Sequence, residues 1–430
     1  MNDELLDFQI ESHTDAIIKV IGVGGGGGNA VNHMFMEGIH NVSFALCNTD
    51  NQALNQSPVP VKVQLGTTTT GGLGAGNKPY VASKAAEESV DLIENLLNDG
   101  TRMVFITAGM GGGTGTGAAP VVARVAKDMG ILTVGIVTIP FVFEGSRKIV
   151  QALKGVEEIS KNVDALLVIN NERLRDIYSD LTVLNAFARA DDTLTTAAKS
   201  IAEIITVHGH VNLDFADVET TLKDGGVAIM SSGIAGGDDR INEAIKDALH
   251  SPLLNNNDVF SSKKILINLC FSEKKPIIMD EMNALHDFMS KFGKEIEVIW
   301  GTAVDDKLEE EVKVTLLATG FTINSVPGIR EIKEEETKAD ELERKVKEDE
   351  QRKQDQKDKL LIEKYYGKAG LDSLATNNYN QEPFVLTLEE LDDDKILEAL
   401  EKNPVFKRER TFNPRTYFND IQQQSSTLFD

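Results

Sequence analysis

Two glycine runs limit what this chain can fold into more than any other feature. Gly24, Gly25, Gly26, Gly27 and Gly28 are consecutive, and Gly111, Gly112, Gly113, Gly115 and Gly117 surround Thr114 and Thr116 in a second run. Ordering five successive glycines is entropically expensive, so a plain turn explains the first run poorly. Each run leaves a short β-branched apolar segment and enters a helical pattern, predicted to begin near Asn29 in one case and at Ala118 in the other. Backbone without side chains lets N–H groups close around phosphate oxygens, and a helix N-terminus adds a favourable field. Two such loops on neighbouring strand ends can grip one polyphosphate from two sides. Thr114 and Thr116 add hydroxyls, and a third glycine-rich stretch, 71–76, can close near the terminal phosphate. Neither principal run contains the G-x-x-x-x-G-K-[ST] pattern, so a P-loop lysine is missing and backbone N–H groups with Mg²⁺ must offset the phosphate charge.

Around these loops the pattern reads as α/β, a doubly wound and mostly parallel sheet. Strands are predicted at 16–23, 42–48, 103–109, 132–139 and 165–170, and their near-continuous apolar character implies helices on both faces. A stretch without Gly or Pro at 181–207, with apolar residues at helical spacing, predicts one long central helix. A second, smaller α/β domain is expected over 224–328, with strands at 227–231, 264–271, 297–303 and 312–319 and helices from Arg240 and Asp280. Residues 329–402 are mostly charge and read as a linker, extended or transiently helical, while 403–430 regain aromatics beside basic residues and read as a short docking peptide. Residues 1–14 form an acidic extension without signal-peptide character.

Charge and composition exclude several classes. With 44 Lys and Arg against 68 Asp and Glu, the net charge is −24, which argues against a nucleic-acid partner. The longest apolar stretch, 131–143, is broken by Gly135 and Pro140 and falls short of the roughly 20 residues of a bilayer span, so no direct membrane insertion is expected. Cys47 and Cys270 each close an apolar run and read as buried small hydrophobes in a cytoplasmic protein.

The 111–117 motif together with the five-glycine run resembles the tubulin and FtsZ superfamily, closer to its bacterial cell-division branch. Matching segments are Asn48-Thr49-Asp50, residues 140–147, residues 212–217 and residues 299–303, so the resemblance covers roughly 15–327. It implies a GTPase that binds GTP and GDP with Mg²⁺ in a 15–180 domain, assembles with itself head to tail into protofilaments, and acts at the mid-cell division site. It places phosphate contacts on Gly24, Gly25, Gly26, Gly27, Gly28 and on Gly111, Gly112, Gly113, Thr114, Gly115, Thr116, Gly117. It puts Glu144 and Arg147 near ribose and phosphates, and Asn29, Asn171 and Asp191 at the nucleoside. Asp191 would accept from the guanine ring N–H and amino group while Phe187 stacks on the base. Read from residues alone, Phe187 is equally ordinary helix core and Asp191 a solvated helix face. Residues 403–430 would bind membrane-tethering and other division proteins. The run Thr67-Thr68-Thr69-Thr70 lacks the Arg that relatives often carry before Gly-Leu-Gly.

Catalysis is expected over 208–223, on Asn212, Asp214 and Asp217. The two acids lie three apart at a predicted helix start and share a face, where carboxylates can orient an attacking water. A helix cap followed by a first-turn acid is the plainer reading of the same pair. His208 and His210 have no further Cys or His at ligand spacing, so no protein metal site is expected. The loops and these acids flank the long helix, about 40 Å by its rise, so the acids are expected to serve the next subunit, giving an open filament. A Rossmann-type oxidoreductase using Gly22, Gly24, Gly27 and Asp50 would leave the second glycine run and the acid pair idle. A filament without hydrolysis would differ only in lacking turnover.

Overall fold

The computed structural model describes residues 16–39, 41–177, 182–207, 209, 211–250, 259–293, 295–323, 326 and 394–402. The predicted N-terminal extension, the docking peptide at 403–430, His208 and His210 lie outside them. The chain divides into two units, Met1–Thr337 and Lys338–Asp430.

The first unit is built on one ten-stranded sheet. In chain order the strands are β1 (Ile18–Val23), β2 (Val42–Asn48), β3 (Val61–Gln64), β4 (Met103–Gly109), β5 (Leu132–Ile139), β6 (Ala165–Asn170), β7 (Gly226–Ala235), β8 (Lys264–Phe271), β9 (Glu297–Val304) and β10 (Val312–Phe321). Their spatial order is β3-β2-β1-β4-β5-β6-β7-β10-β8-β9. Every pair from β3 to β7 is parallel, β10 runs antiparallel to both neighbours, and β8 pairs parallel with β9. The region predicted as a second domain continues the first sheet through a narrow seam, with only Ala165, Leu166 and Leu167 of β6 registered against β7.

Side-chain alternation explains why both faces are covered. Along β1, Ile18 and Val20 enter one core and Ile21 and Val23 the other; along β4, Met103 and Phe105 separate in the same way from Val104, Ile106 and Ala108. One face carries α1 (Gly24–Glu37), the long α9 (Val183–Thr206) and α10 (Phe215–Leu222). The other carries α4 (Pro79–Glu88), α5 (Val90–Leu97), α6 (Thr114–Asp128) and α7 (Ser146–Ser160), then α11 (Arg240–Leu249) and α12 (Met282–Met289). The helix α9 presents Leu194, Ala197, Ala198, Ile201, Ala202 and Ile204 to the core and has Thr182 as its N-cap. Short helices α2 (Asn51–Gln56), α3 (Thr67–Thr70) and α8 (Asn171–Ile177) sit at strand ends. Glu88 accepts from the Thr69 hydroxyl and from the N–H groups of Thr68 and Thr69 at the start of α3, and these hydrogen bonds pull its carboxyl down to about 2.

In the second unit only α13 (Asp394–Lys402) is described, a helix at the end of the predicted linker with a Lys402–Glu398 ion pair one turn apart. Both cysteines are buried as expected, and burial pushes the Cys47 thiol up to about 12 and the Cys270 thiol up to about 11.

Arg240 holds the far half of the sheet to its loops. It is 1% exposed; Nε and Nη2 donate to Glu281 at 2.7 and 3.0 Å, and the guanidinium also reaches the carbonyls of Lys275, Pro276 and Glu310. Its hydrogen bond holds the Glu281 carboxyl below the usual range, so the pair's contribution is lost as pH falls through that lowered value. Arg240→Met should cost about 3 to 5 kcal/mol in denaturant unfolding, because Glu281 and three carbonyls lose their partner together, and adding Glu281→Leu should return part of it. A single-variant loss under about 1 kcal/mol would show that these loops are held otherwise.

Candidate functional site

Strand order locates the site. Chain direction reverses its outward march where β1 lies between β2 and β4, and the crevice at the C-terminal ends of such strands is where open α/β sheets bind ligands. Both glycine runs occupy that crevice, the first leaving β1 and the second leaving β4. Their helices pass to opposite faces of the sheet, so the two N-termini flank the opening.

Both helices begin earlier than the sequence predicts. The first starts at Gly24, not Asn29, and the second at Thr114, not Ala118. Low helix propensity hides a glycine first turn, but the structure uses these residues because their N–H groups need no intrahelical partner there. Neither helix has a side-chain cap at its N-terminus or an acid in its first turn. Close packing dictates part of the composition: a Cβ on Gly27 would overlap the Thr107 carbonyl oxygen of β4. Gly25, Gly28 and Gly112 have nothing within 4 Å of a Cβ position, so there the open backbone faces free space.

The cleft between these termini encloses about 390 Å³. Of the residues singled out from the sequence, Gly25, Gly26, Asn29, Gly112, Gly113, Thr114, Gly115, Glu144, Asn171, Phe187 and Asp191 line it. Gly24 and Gly28 border an adjoining recess of about 40 Å³ that shares Gly25 and Asn29. Gly27 packs on β4, and Gly111, Thr116 and Gly117 stand behind the cleft wall; the Thr116 hydroxyl accepts from the Gly111 N–H at 2.9 Å. The stretch 71–76 abuts the second run, with Ala75 and Asn77 against Gly113. Arg147 lines a separate groove, while its neighbour Lys148 faces the cleft and pairs with Glu144 at 2.6 Å. One residue is about 100° of helix, so the phase of α7 separates these two cations. Thr49, part of a matching segment but given no role in the site from the sequence, shares a 2.7 Å hydrogen bond with the Thr114 hydroxyl.

The far wall comes from α8 and α9. Phe187 is 40% exposed and stands edge-on to Phe141 and Phe143, which stack on each other at 5.1 Å, so it offers a ring to the cleft instead of filling the core. Asn171 is buried and its Oδ1 has no hydrogen-bond partner among the described residues, which leaves an acceptor open to a donor in the cleft. Burial raises the Asp191 carboxyl to about 6, with nearby His33 opposing the rise. Asp50 caps α2 through the N–H groups of Gln52 and Ala53, so its carboxylate is committed to the fold.

The 212–217 acids lie elsewhere. Asp214 caps α10, accepting from the N–H groups of Ala216 and Asp217, and Asp217 returns the favour by accepting from the Asp214 N–H at 3.0 Å. This capping box accounts structurally for both acids, using one oxygen of each. Asp214 and Asn212 are exposed, and Asn212 accepts a long bond from the Gly209 N–H. None of the three lines the cleft. Phe215 of α10 lies under Arg102 at 4.7 Å, just before β4, whereas Gly109 at the other end of β4 lines the cleft. Seven strand residues at about 3.3 Å each separate the two ends, roughly 23 Å. Among the described residues there is no cluster of three or more His, Cys, Asp or Glu able to hold a metal, and no helix long and apolar enough to cross a membrane.

The GTPase domain of the tubulin/FtsZ family matches residues 17–179, and the C-terminal domain of the FtsZ family matches 226–322. Cell division protein FtsZ of Porphyromonas gingivalis is 52% identical over 410 residues, covering 95% of this chain and 89% of that protein. The protein of the same name from Wigglesworthia glossinidia brevipalpis is 45% identical over 323 residues, 75% of this chain and 83% of its own. Among solved structures, an empty FtsZ dimer from M. jannaschii superposes with a TM-score of 0.65 at 39% identity, covering 70% of this chain and 88% of that one.

The raised Asp191 carboxyl has a consequence for the ligand-free protein. Its folded pKa lies above the unfolded value, so its contribution favours folding at low pH and falls away as pH rises through about 6. Asp191→Asn should therefore stabilise the ligand-free protein more at pH 7.5 than at pH 5.5, read by urea unfolding. A difference that does not change with pH would mean that the carboxylate is better solvated than its surroundings indicate.

Proposed function

Because the chain belongs to the tubulin/FtsZ family, we propose that its GTPase chemistry is divided between the cleft of one subunit and α10 of the next. The protein is a filament-forming cell-division GTPase. Within that activity, our reading assigns the phosphates to the N–H groups of the two glycine first turns, with Lys148, held by Glu144, as a cation beside them. Two helix N-termini supply a positive field without a P-loop lysine. Mg²⁺ riding on the phosphates would supply the remaining charge neutralisation, which suits a cleft whose acids are already bonded or reserved for the base. Asn171 and Asp191 take the nucleoside. An ionised Asp191 accepts from both the ring N–H and the amino group of guanine, a pairing that adenine does not offer, and Phe187 covers the base.

The observation that carries the division is the roughly 23 Å of β4 between the cleft and the Asp214–Asp217 pair. A carboxylate that orients the attacking water must come within hydrogen-bond reach of it, so this pair serves a nucleotide bound to another copy. Head-to-tail stacking places one copy's α10 over the next copy's cleft, and such contacts extend without closing. Each acid spends one oxygen on the capping box and keeps the other for water. The same reading assigns 403–430 to docking on membrane-tethering division proteins, which brings the filament to mid-cell.

Asp214→Asn is the informative change, since Asn caps a helix about as well as Asp while removing the charge. It should bind GTP like the unaltered protein and lose at least about a hundredfold in turnover. Asp191→Ala should bind GTP poorly, by roughly 1.5 to 3 kcal/mol for each charged hydrogen bond lost. Mixed together, the two inactive variants should regain turnover, because some junctions pair an intact cleft with an intact acid. No recovery in mixed filaments would place the acid and its nucleotide in one chain.

GTP affinity of the unaltered protein should also weaken as pH falls through about 6, while Asp191→Asn shows no such step. Deleting 404–430 should leave turnover and polymerisation near normal and abolish binding to a membrane tether; unchanged tether binding would remove the docking role.

A further inference from the structure

One contact behind the second glycine run does work that neither the fold nor the cleft lining accounts for. Gln151 lies on α7 and lines the groove on the far side of the run, not the cleft. Its Nε2 donates to the carbonyl oxygens of Gly111 at 2.9 Å and Gly112 at 3.0 Å. Peptide bonds in the described chain are all trans, and in a trans peptide the C=O and the following N–H point in opposite directions. Holding these two carbonyls toward α7 therefore turns the N–H groups of Gly112 and Gly113 toward the cleft. Neither N–H has a protein partner among the described residues. The Gly111 N–H is already taken by the Thr116 hydroxyl, so Gln151 sets the direction of the two donors that follow it, just before α6 begins.

The approach of α7 is built for this. Gly111 has φ +98°, and a Cβ there would meet the Lys148 carbonyl oxygen at 2.9 Å; a Cβ on Gly155 would meet the Thr116 methyl at 2.5 Å. Residues 148, 151 and 155 share one helix face, so the glycines at either end let α7 come close enough for a Gln side chain to reach the loop.

We propose that Gln151 is a positioning residue for phosphate binding: without touching the nucleotide, it aims the Gly112 and Gly113 N–H groups at the phosphates. This rests on the reading that the cleft holds GTP. A preorganised donor pair needs no reorientation when the anion arrives, which is why an anchor outside the cleft affects binding inside it.

The test compares GTP with guanosine, which shares the base and ribose but has no phosphates. Gln151→Met keeps the length and removes both donors; Gln151→Glu replaces the donors with a carboxylate facing two carbonyls. Both should fold with near-normal melting temperature and bind guanosine like the unaltered protein. Gln151→Met should bind GTP about tenfold more weakly, as expected for two anchoring hydrogen bonds lost, and Gln151→Glu more weakly still. Equal weakening toward guanosine and GTP would make Gln151 a merely structural residue, and unchanged GTP affinity in both variants would remove its role altogether. If the unaltered protein bound guanosine as tightly as GTP, the phosphate assignment of the cleft itself would fall, an outcome distinct from either of these.

Discussion

Unpaired backbone N–H groups at the start of a helix must find an acceptor, and two such helix starts meet at one point of this sheet. Everything around the cleft follows from leaving them uncapped. An Asp or Ser before Gly24 or Thr114 would satisfy the same donors from within the chain and fill the anion site. Here glycine occupies the first turns, which allows α1 to press onto β4 and keeps free the donors that face outward. In the proposed reading of the cleft, the helix-start field substitutes for the lysine that many phosphate-binding loops carry.

A second economy appears at the opposite end of β4, where α10 is capped conventionally. Asp214 and Asp217 satisfy each other's backbone groups, so the helix would form without any function for the acids. A capping box and a water-orienting pair are compatible because a carboxylate has two oxygens and the cap needs one. The geometry of a single chain therefore looks purely structural at α10 and incomplete at the cleft. Under the proposed division of the site, head-to-tail association joins the two, which would make turnover depend on the filament.

Burial sets the electrostatics where α8 and α9 wall the cleft. Asp191 and Asn171 sit where water is scarce, one with a raised pKa and the other with an acceptor lacking a donor. Left as they are, both are unfavourable to the ligand-free protein. Such groups persist where a ligand supplies the missing partners, and a guanine edge with two adjacent N–H donors matches a carboxylate better than any neutral contact does.

By itself the sequence determined the class of fold, the strands beside the glycine runs and the long helix, because apolar runs and period-3.6 spacing are local signals that do not depend on distant residues. It also pointed to the two glycine runs as the phosphate site, since so costly a composition needs a reason. Only the tertiary structure decided where the helices start, because glycine's poor propensity is overridden once the first turn packs on β4. It decided that Lys148 and not Arg147 faces the cleft, a matter of helix phase that neighbouring cations cannot reveal. It also decided that one sheet runs through both halves of the first unit, joined at three residue pairs of β6 and β7, because strand pairing is chosen by which edges meet in space and leaves no mark on either strand's own pattern.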